Sequence, residues 1–208
     1  MRKLLTRAVQ AFYKASMIGL PKKYSFTRYA MYKRLEEVAK QLPREGKVLS
    51  ISHSTHLCEI LKVTPTELKE ANYPETNILR LPYPDESFDF VLSDQVFEHI
   101  EGDPQDAINE TMRVLKKGGY AVHTTCMFTA IHGPGDFWRF TPEGLSYLCR
   151  GASRVVESAG WGNPFLPMFT FFDFMWLPVP DVRWHPIRYF ATRSRESYPH
   201  NVWIVAKK

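Results

Sequence analysis

Between residues 47 and 125, short apolar runs of strand length alternate with segments of helical apolar spacing, and this alternation limits the folds open to the chain more than any other feature. Residues 47–52 (KVLSIS), 88–93 (FDFVLS) and 120–125 (YAVHTT) read as strands, the second entered through the turn residues Pro84, Asp85, Glu86 and Ser87. Residues 55–61 read as a short helix and residues 104–115 as a longer one, since Ala107, Ile108, Met112, Val114 and Leu115 fall at helical spacing. Asp103 is placed to cap its start and Gly118-Gly119 to stop it. Further extended pieces are expected at 67–71, 77–81, 155–158 and 201–206 (NVWIVA), with a helix over 142–149 capped by Thr141. Strands and helices in this order predict an α/β domain with a mostly parallel sheet.

Two helices are expected ahead of this pattern. Residues 4–18 form an amphipathic helix: Leu4, Leu5, Ala8, Val9, Phe12, Ala15 and Met17 alternate with Arg2, Lys3, Arg7 and Lys14, and Gly19 and Pro21 end it. A second covers 28–41, with Tyr29, Tyr32, Leu35, Val38 and Ala39 on one face. The 208-residue chain has a net charge of +5, but its first 47 residues hold twelve Lys/Arg against three Asp/Glu, so the remainder is net −4. A basic leader on a mildly acidic body suggests an arm that meets an acidic surface, a membrane headgroup layer or a polyanion, and argues against a whole-domain nucleic-acid binder, so no nucleic-acid partner is expected. Residues 1–45 are therefore read as a basic helical segment, either a lid or a membrane contact, preceding a domain over 46–208. Cys58, Cys126 and Cys149 are odd in number and widely spaced, which fits a reducing cytoplasm. No signal peptide and no transmembrane run of 18 apolar residues is expected, so the reading is cytoplasmic, with peripheral contact on the inner membrane face left open.

Residues 163–200 break the alternation. Phe165, Phe169, Phe171, Phe172, Phe174, Trp176, Trp184, Tyr189 and Phe190 lie among Pro164, Pro167, Pro178, Pro180 and Pro186, and so many prolines forbid one long helix. The segment is an aromatic insertion before the last strand. It either completes the core or forms a substrate wall or membrane-facing patch, with Arg183, Arg188, Arg193 and Arg195 beside it.

The segment LPYPDESFDFVLSDQVFEHI (81–100), with RVLKKGGYAVHTT (113–125) one helix later, closely resembles the second half of class I S-adenosylmethionine-dependent methyltransferases, small-molecule type. In that family a turn-rich LP-x-x-D-x-SFD leads into the fourth strand, and a LK-x-GG turn precedes the fifth. The resemblance covers residues 46–160 and the final strand, and implies a Rossmann-like fold with a seven-stranded sheet. In open α/β sheets ligands sit beyond the carboxyl ends of the strands, where the strand order switches. The family's glycine-rich cofactor loop, D-x-G-x-G-x-G, falls here on Ser50-Ile51-Ser52-His53-Ser54-Thr55-His56, a degenerate form with Ser or His at all three glycine positions.

The resemblance implies S-adenosylmethionine as cofactor and carries roles over by position. Ser52, His53 and Ser54 stand in the loop after the first strand. Glu70 is the carboxylate for the ribose hydroxyls, with Glu67 as understudy; Asn77 and Ile78 meet the adenine; Ser93, Asp94 and Gln95 lie under the methionine moiety. Methyl transfer to a hydroxyl also needs a base, for which His99 ranks first and His132 next, with His123 and Asp136 further candidates. Trp138 and Arg139, in FWRFT, resemble a substrate-side wall, the arginine suited to an anionic or sugar acceptor. His53, His56 and Cys58 are of zinc-ligand type but lack a fourth neighbour, so no metal is expected there. The expected activity is methyl transfer to a small-molecule, glycan or lipid-linked acceptor; the alternative is a non-catalytic binding or scaffold protein that has lost normal cofactor binding.

Overall fold

The computed structural model describes residues 2–171 and 174–208, without the side chains of Arg2, Lys3 and Leu4. Those side chains and Phe172 of the aromatic run thus lie outside the described residues. The elements in chain order begin with helix α1 (Arg2–Ser16), strand β1 (Lys22–Ser25) and helix α2 (Phe26–Val38), which a short 3-10 turn extends. Next come β2 (Glu45–Ile51), α3 (His56–Leu61), β3 (Thr64–Ala71), β4 (Phe88–Asp94), α4 (Pro104–Val114) and β5 (Leu115–Cys126). The chain closes with α5 (Pro142–Leu148), β6 (Arg154–Trp161), α6 (Leu166–Phe171), β7 (Pro178–Pro180), α7 (Pro186–Thr192) and β8 (Asn201–Lys207).

Six strands form one sheet in the order β3-β2-β4-β5-β8-β6. All run the same way except β8, which is antiparallel to both its neighbours. Strand order reverses at β2, with β3 on one side and β4 on the other, so the cleft at their carboxyl ends is the switch point where ligands bind in such sheets. Two apolar layers cover the faces. Val48, Phe90, Leu92, Val122 and Val205 pack against α2, α3 and part of the 163–200 segment, while Leu49, Ile51, Val91, Ala121 and Ile204 pack against α4 and α5. Alternate residues of β2 and β4 fall in opposite layers, as the period of two requires. Asp103 and Thr141 cap α4 and α5 as their spacing indicates, accepting from the Gln105 and Gly144 amides at 2.8 and 2.9 Å.

Two expectations are corrected. Residues 77–81 form no strand, and the sheet has six strands rather than seven. The Asn77 side chain accepts from the Leu79 amide at 2.9 Å and its carbonyl from the Arg80 amide at 3.0 Å, so local side-chain bonding wins over sheet pairing, with Pro82 and Pro84 just beyond. Gly118-Gly119 does not stop α4, which ends at Val114; both glycines lie within β5, where the β4 pairing shifts register. Gly118 has φ +81°, and a Cβ on Gly119 would meet the Asp89 carbonyl oxygen at 3.0 Å, so the pair shapes an irregularity in the strand.

The 163–200 segment contributes on two sides. Phe169 and Phe174 are buried with Phe26 and Trp161 in the core, the Phe26 and Phe169 rings stacked at 4.3 Å. A small second sheet, β1 antiparallel to β7, ties the segment to the N-terminal helices, an arrangement the sequence did not signal. Entry into the segment depends on Gly162, where a Cβ would fall 2.0 Å from the Tyr198 carbonyl oxygen. Among the described residues no helix is long and apolar enough to cross a membrane.

Candidate active site

At the end of β2 the backbone turns through two left-handed residues, Ser52 (φ 49°) and His53 (φ 61°). This conformation is costly for residues with a Cβ, and it persists here because both amides are held: Ser52 N–H donates to the Ala71 carbonyl at 3.0 Å and His53 N–H to Asn72 Oδ1 at 2.9 Å. Ser54 locks the other side of the turn, donating to the Ile51 carbonyl and accepting from the Asp94 amide at 2.8 Å. The serines therefore keep the tight turn that glycines would make easily, and they tie the ends of β2, β3 and β4 together.

Glu70, one residue before the end of β3, is exposed and pairs in register with Ser50 of β2. Its carboxylate accepts from Asn72 Nδ2 at 3.1 Å, leaving acceptor sites for hydroxyl groups. Asn77 and Ile78 lie in the connection that follows β3; Asn77 is exposed and Ile78 is buried with Leu49 and Ile51. At the end of β4 the three candidates diverge. The Ser93 hydroxyl is buried against His123 Nδ1 at 2.8 Å, Asp94 sits in a polar knot, and Gln95 reaches into a cavity.

Asp94 accepts from Tyr32 Oη at 2.6 Å and lies 3.1 Å from His56 Nε2, with its second oxygen bonded by the Thr124 hydroxyl. Burial opposes its ionisation, but His56, nearby Arg28, Thr124 and Tyr32 hold its carboxyl below the usual range. The same hydrogen bond to Asp94 raises the His56 pKa. His56 is thus committed to Asp94, while Cys58 is buried in the core.

A cavity of about 1040 Å³ opens beside this knot, between the end of β5 and the 163–200 segment. Arg28, Gln95, Arg139 and His132 supply polar lining; Phe128, Phe171 and Trp176 supply apolar walls. Arg139 is paired through two hydrogen bonds with Asp136, whose carboxyl it pulls well below the ordinary carboxylate range. Trp138 stands behind it, donating Nε1–H to the Ile100 carbonyl at 2.9 Å. His99 and His132 meet edge to face with ring centres 5.1 Å apart; His132 lines the cavity, and His99 is held at 2.9 Å from the Gly135 carbonyl. His123, by contrast, is sealed in the core, where burial pushes its pKa down to about 3.

Residues 34–123 match the family described as a methyltransferase domain. Solved structures with the same arrangement of sheet and helices include a possible histamine N-methyltransferase from Thermotoga maritima, with TM-score 0.53 at 19% identity and full coverage of both chains. Another is an S-adenosylmethionine-dependent methyltransferase from Archaeoglobus fulgidus, with TM-score 0.55 at 14% identity over 87% of this chain and 94% of the other. This is a class I methyltransferase fold. At such identities the likeness concerns fold alone, and a [4+2]-cyclase, SpnF, shares it too (TM-score 0.54, 16% identity, 85% and 81% coverage). In sequence, an uncharacterised methyltransferase of Schizosaccharomyces pombe is 37% identical over 84 residues, 36% of this chain; the chain spans only 30% of that relative.

Several residues of this site escaped sequence reasoning. Arg28 and Tyr32 reach it from α2, and the fully buried Glu98 lies beneath the cavity wall, its Oε2 accepting from the Thr125 hydroxyl at 2.9 Å and its Oε1 without a partner. Burial raises the Glu98 pKa. An acidic residue amid Val96, Phe97 and Ile100 was the available signal, since such a position is rarely charged without a task.

Proposed function

We propose that the chain is an S-adenosylmethionine-dependent methyltransferase whose small-molecule, glycan or lipid-linked acceptor enters the cavity beside the 163–200 segment. The observation that carries this reading is the left-handed Ser52-His53 turn between the carboxyl ends of β2 and β3, with the exposed Glu70 carboxylate beside it. A turn maintained against its steric cost where the family has glycines is a cradle kept for a ligand. Bound S-adenosylmethionine supplies an activated methyl group on a sulfonium with a neutral thioether as leaving group. Glu70 accepts from the ribose hydroxyls, and Ser52 and His53 form the backbone cradle. Asn77 and Ile78 face the adenine, and Asp94 and Gln95 border the methionine end. On the acceptor side, Arg139 orients an anionic or hydroxyl-rich group, and the His99–His132 pair receives the proton of a hydroxyl acceptor.

Calorimetry with S-adenosylmethionine and its demethylated product tests the reading. Saturable binding is expected, with Glu70→Ala weakening it by about 1.5–3 kcal/mol, the range of hydrogen bonds to a charged group. Absence of binding by either compound overturns it. Binding without methyl transfer to any acceptor in a panel of glycans, lipids and small molecules favours the scaffold alternative.

A further inference from the structure

Beneath the cavity wall, one ligand-type atom from each of Glu98, Cys126 and His132 lies within 4.8 Å of the others, the one such group of His, Cys, Asp and Glu among the described residues. We propose that Glu98, Cys126 and His132 bind a divalent metal ion of borderline softness, with zinc(II) the reference case. Carboxylate, thiolate and imidazole are the three ligand types such an ion takes, and three protein ligands with a fourth position open is the pattern of sites that act on a substrate.

Two features beyond proximity point to a ligand. First, Glu98 is fully buried, yet its Oε1 has no hydrogen-bond partner. An unpaired buried carboxylate oxygen is expensive to keep, and a cation is the partner that removes the cost. Second, each flanking ligand is oriented as metal ligands are. Thr125 donates to Glu98 Oε2 at 2.9 Å, and His132 Nδ1 lies 3.2 Å from the Ala130 carbonyl and 3.4 Å from Asp136 Oδ2, leaving Nε2 free to ligate. A carbonyl or carboxylate on the far ring nitrogen is the usual outer partner of a ligating histidine. Charge also balances: ionised Glu98 and Cys126 cancel a divalent ion, and the neighbouring Arg139 is already paired with Asp136.

Cys126 and His132 both line the cavity, so the open position faces the acceptor space. An acceptor hydroxyl coordinated there loses its proton more readily. His132 then serves as ligand, and His99, its ring 5.1 Å away, receives the proton. The role in methyl transfer rests on the proposed function; the metal site itself does not.

Chelator-stripped protein is titrated with zinc(II) by calorimetry and with cobalt(II) by absorption spectroscopy, circular dichroism reporting whether each variant is folded. About one equivalent should bind. A sulfur-to-cobalt charge-transfer band should appear in the native and Cys149→Ala proteins and vanish in Cys126→Ser. Zinc affinity should fall at least about tenfold in Glu98→Gln and His132→Ala. If Cys126→Ser does not fold, those two variants decide the matter, His132 lying in an exposed loop. Absence of zinc binding, binding without the thiolate band, or undiminished affinity in the folded variants overturns the site. No readout involves cofactor or methyl transfer, so failure here is distinct from failure of the proposed function.

Discussion

The Ser52-His53 turn is strained at the scale of single residues, and the Ala71 carbonyl and Asn72 Oδ1 hold it in place by accepting from its two amides. Ser52, Ser54 and Gln95 follow strand ends and Glu70 stands one residue before one, so the alternation that defines the sheet also locates them. Tyr32 reaches Asp94 across 62 positions, and Cys126 meets Glu98 only because β5 lies beside β4, so no local spacing could announce either contact. Buried histidines make the clearest prediction at this scale. Burial lowers the pKa of His123 to about 3 and of His200 to about 4, both from 6.5. A depressed folded pKa means that the unfolded chain takes up the proton first; stability is complete above pH 6.5 and is lost as pH falls from there toward the folded values. Between about pH 6 and 4.5 the two groups together should steepen acid loss by up to roughly 2–3 kcal/mol per pH unit, about 1.4 from each. Urea unfolding at stepped pH measures this, and His123→Leu should remove about half of the histidine contribution to the slope. A slope unchanged by that substitution would refute the assignment. Glu98 has the opposite sign: its raised pKa favours the fold below the ordinary carboxyl range and is a cost as pH rises, a liability that a core-only role does not explain.

Elements are legible in the sequence where one period runs long and obscured where short-range bonds compete with it. Helices α4 and α5 carry caps visible in sequence, and β2, β4 and β8 each have a buried apolar centre (Val48-Leu49, Phe90-Val91-Leu92 and residues 202–206). Residues 77–81 look extended by composition, yet Asn77 closes a local turn that competes with sheet pairing and wins. The β1–β7 pairing is shorter still, and β7 contains Pro178 and Pro180, residues found only at sheet edges. What holds this region together is polar. Asp181, just after β7, accepts from Tyr29 Oη and from Lys33 Nζ at 2.8 Å on α2, and lies 3.5 Å from Arg188 Nε on α7. One carboxylate thus joins the second helix to the insertion that walls the cavity. Asp181→Ala should cost about 1–2 kcal/mol, below the sum of three charged contacts because the site is partly exposed. Limited proteolysis should then cut first within residues 174–195. A protection pattern identical to native would show that the aromatic contacts of Phe169 and Phe174 suffice without it.

The charge asymmetry of the whole molecule acquires geometry once α1 is docked. Tyr13, with Met17 buried just beyond the helix end, fixes one face of α1 to the insertion: Tyr13 Oη donates to the Pro178 carbonyl at 2.7 Å and its ring stacks on Phe174 at 5.0 Å. That docking turns Leu5 and Phe12, seven residues apart, outward, with the exposed Arg7 and Lys14 beside them. Ser16 lies 3.3 Å from His185, so the end of α1 abuts the turn that carries Trp184, 71% exposed; Ile18 is 78% exposed. Large apolar side chains left in water among basic residues, on a helix already committed on its other face, suit an anionic lipid surface better than a second core. Co-sedimentation with vesicles of mixed phosphatidylcholine and phosphatidylserine should therefore exceed that with phosphatidylcholine alone, by about 1 kcal/mol for each basic residue near the surface, and should decline as salt is raised. Phe12→Ser with Trp184→Ser should weaken binding at every salt concentration, because the apolar contribution is not screened, while leaving the buried Tyr13 face intact. Equal sedimentation with both vesicle types, or none, would mean that the basic leader serves the protein itself, covering the cleft through α2, where Arg28 and Tyr32 already reach the cavity and Asp94.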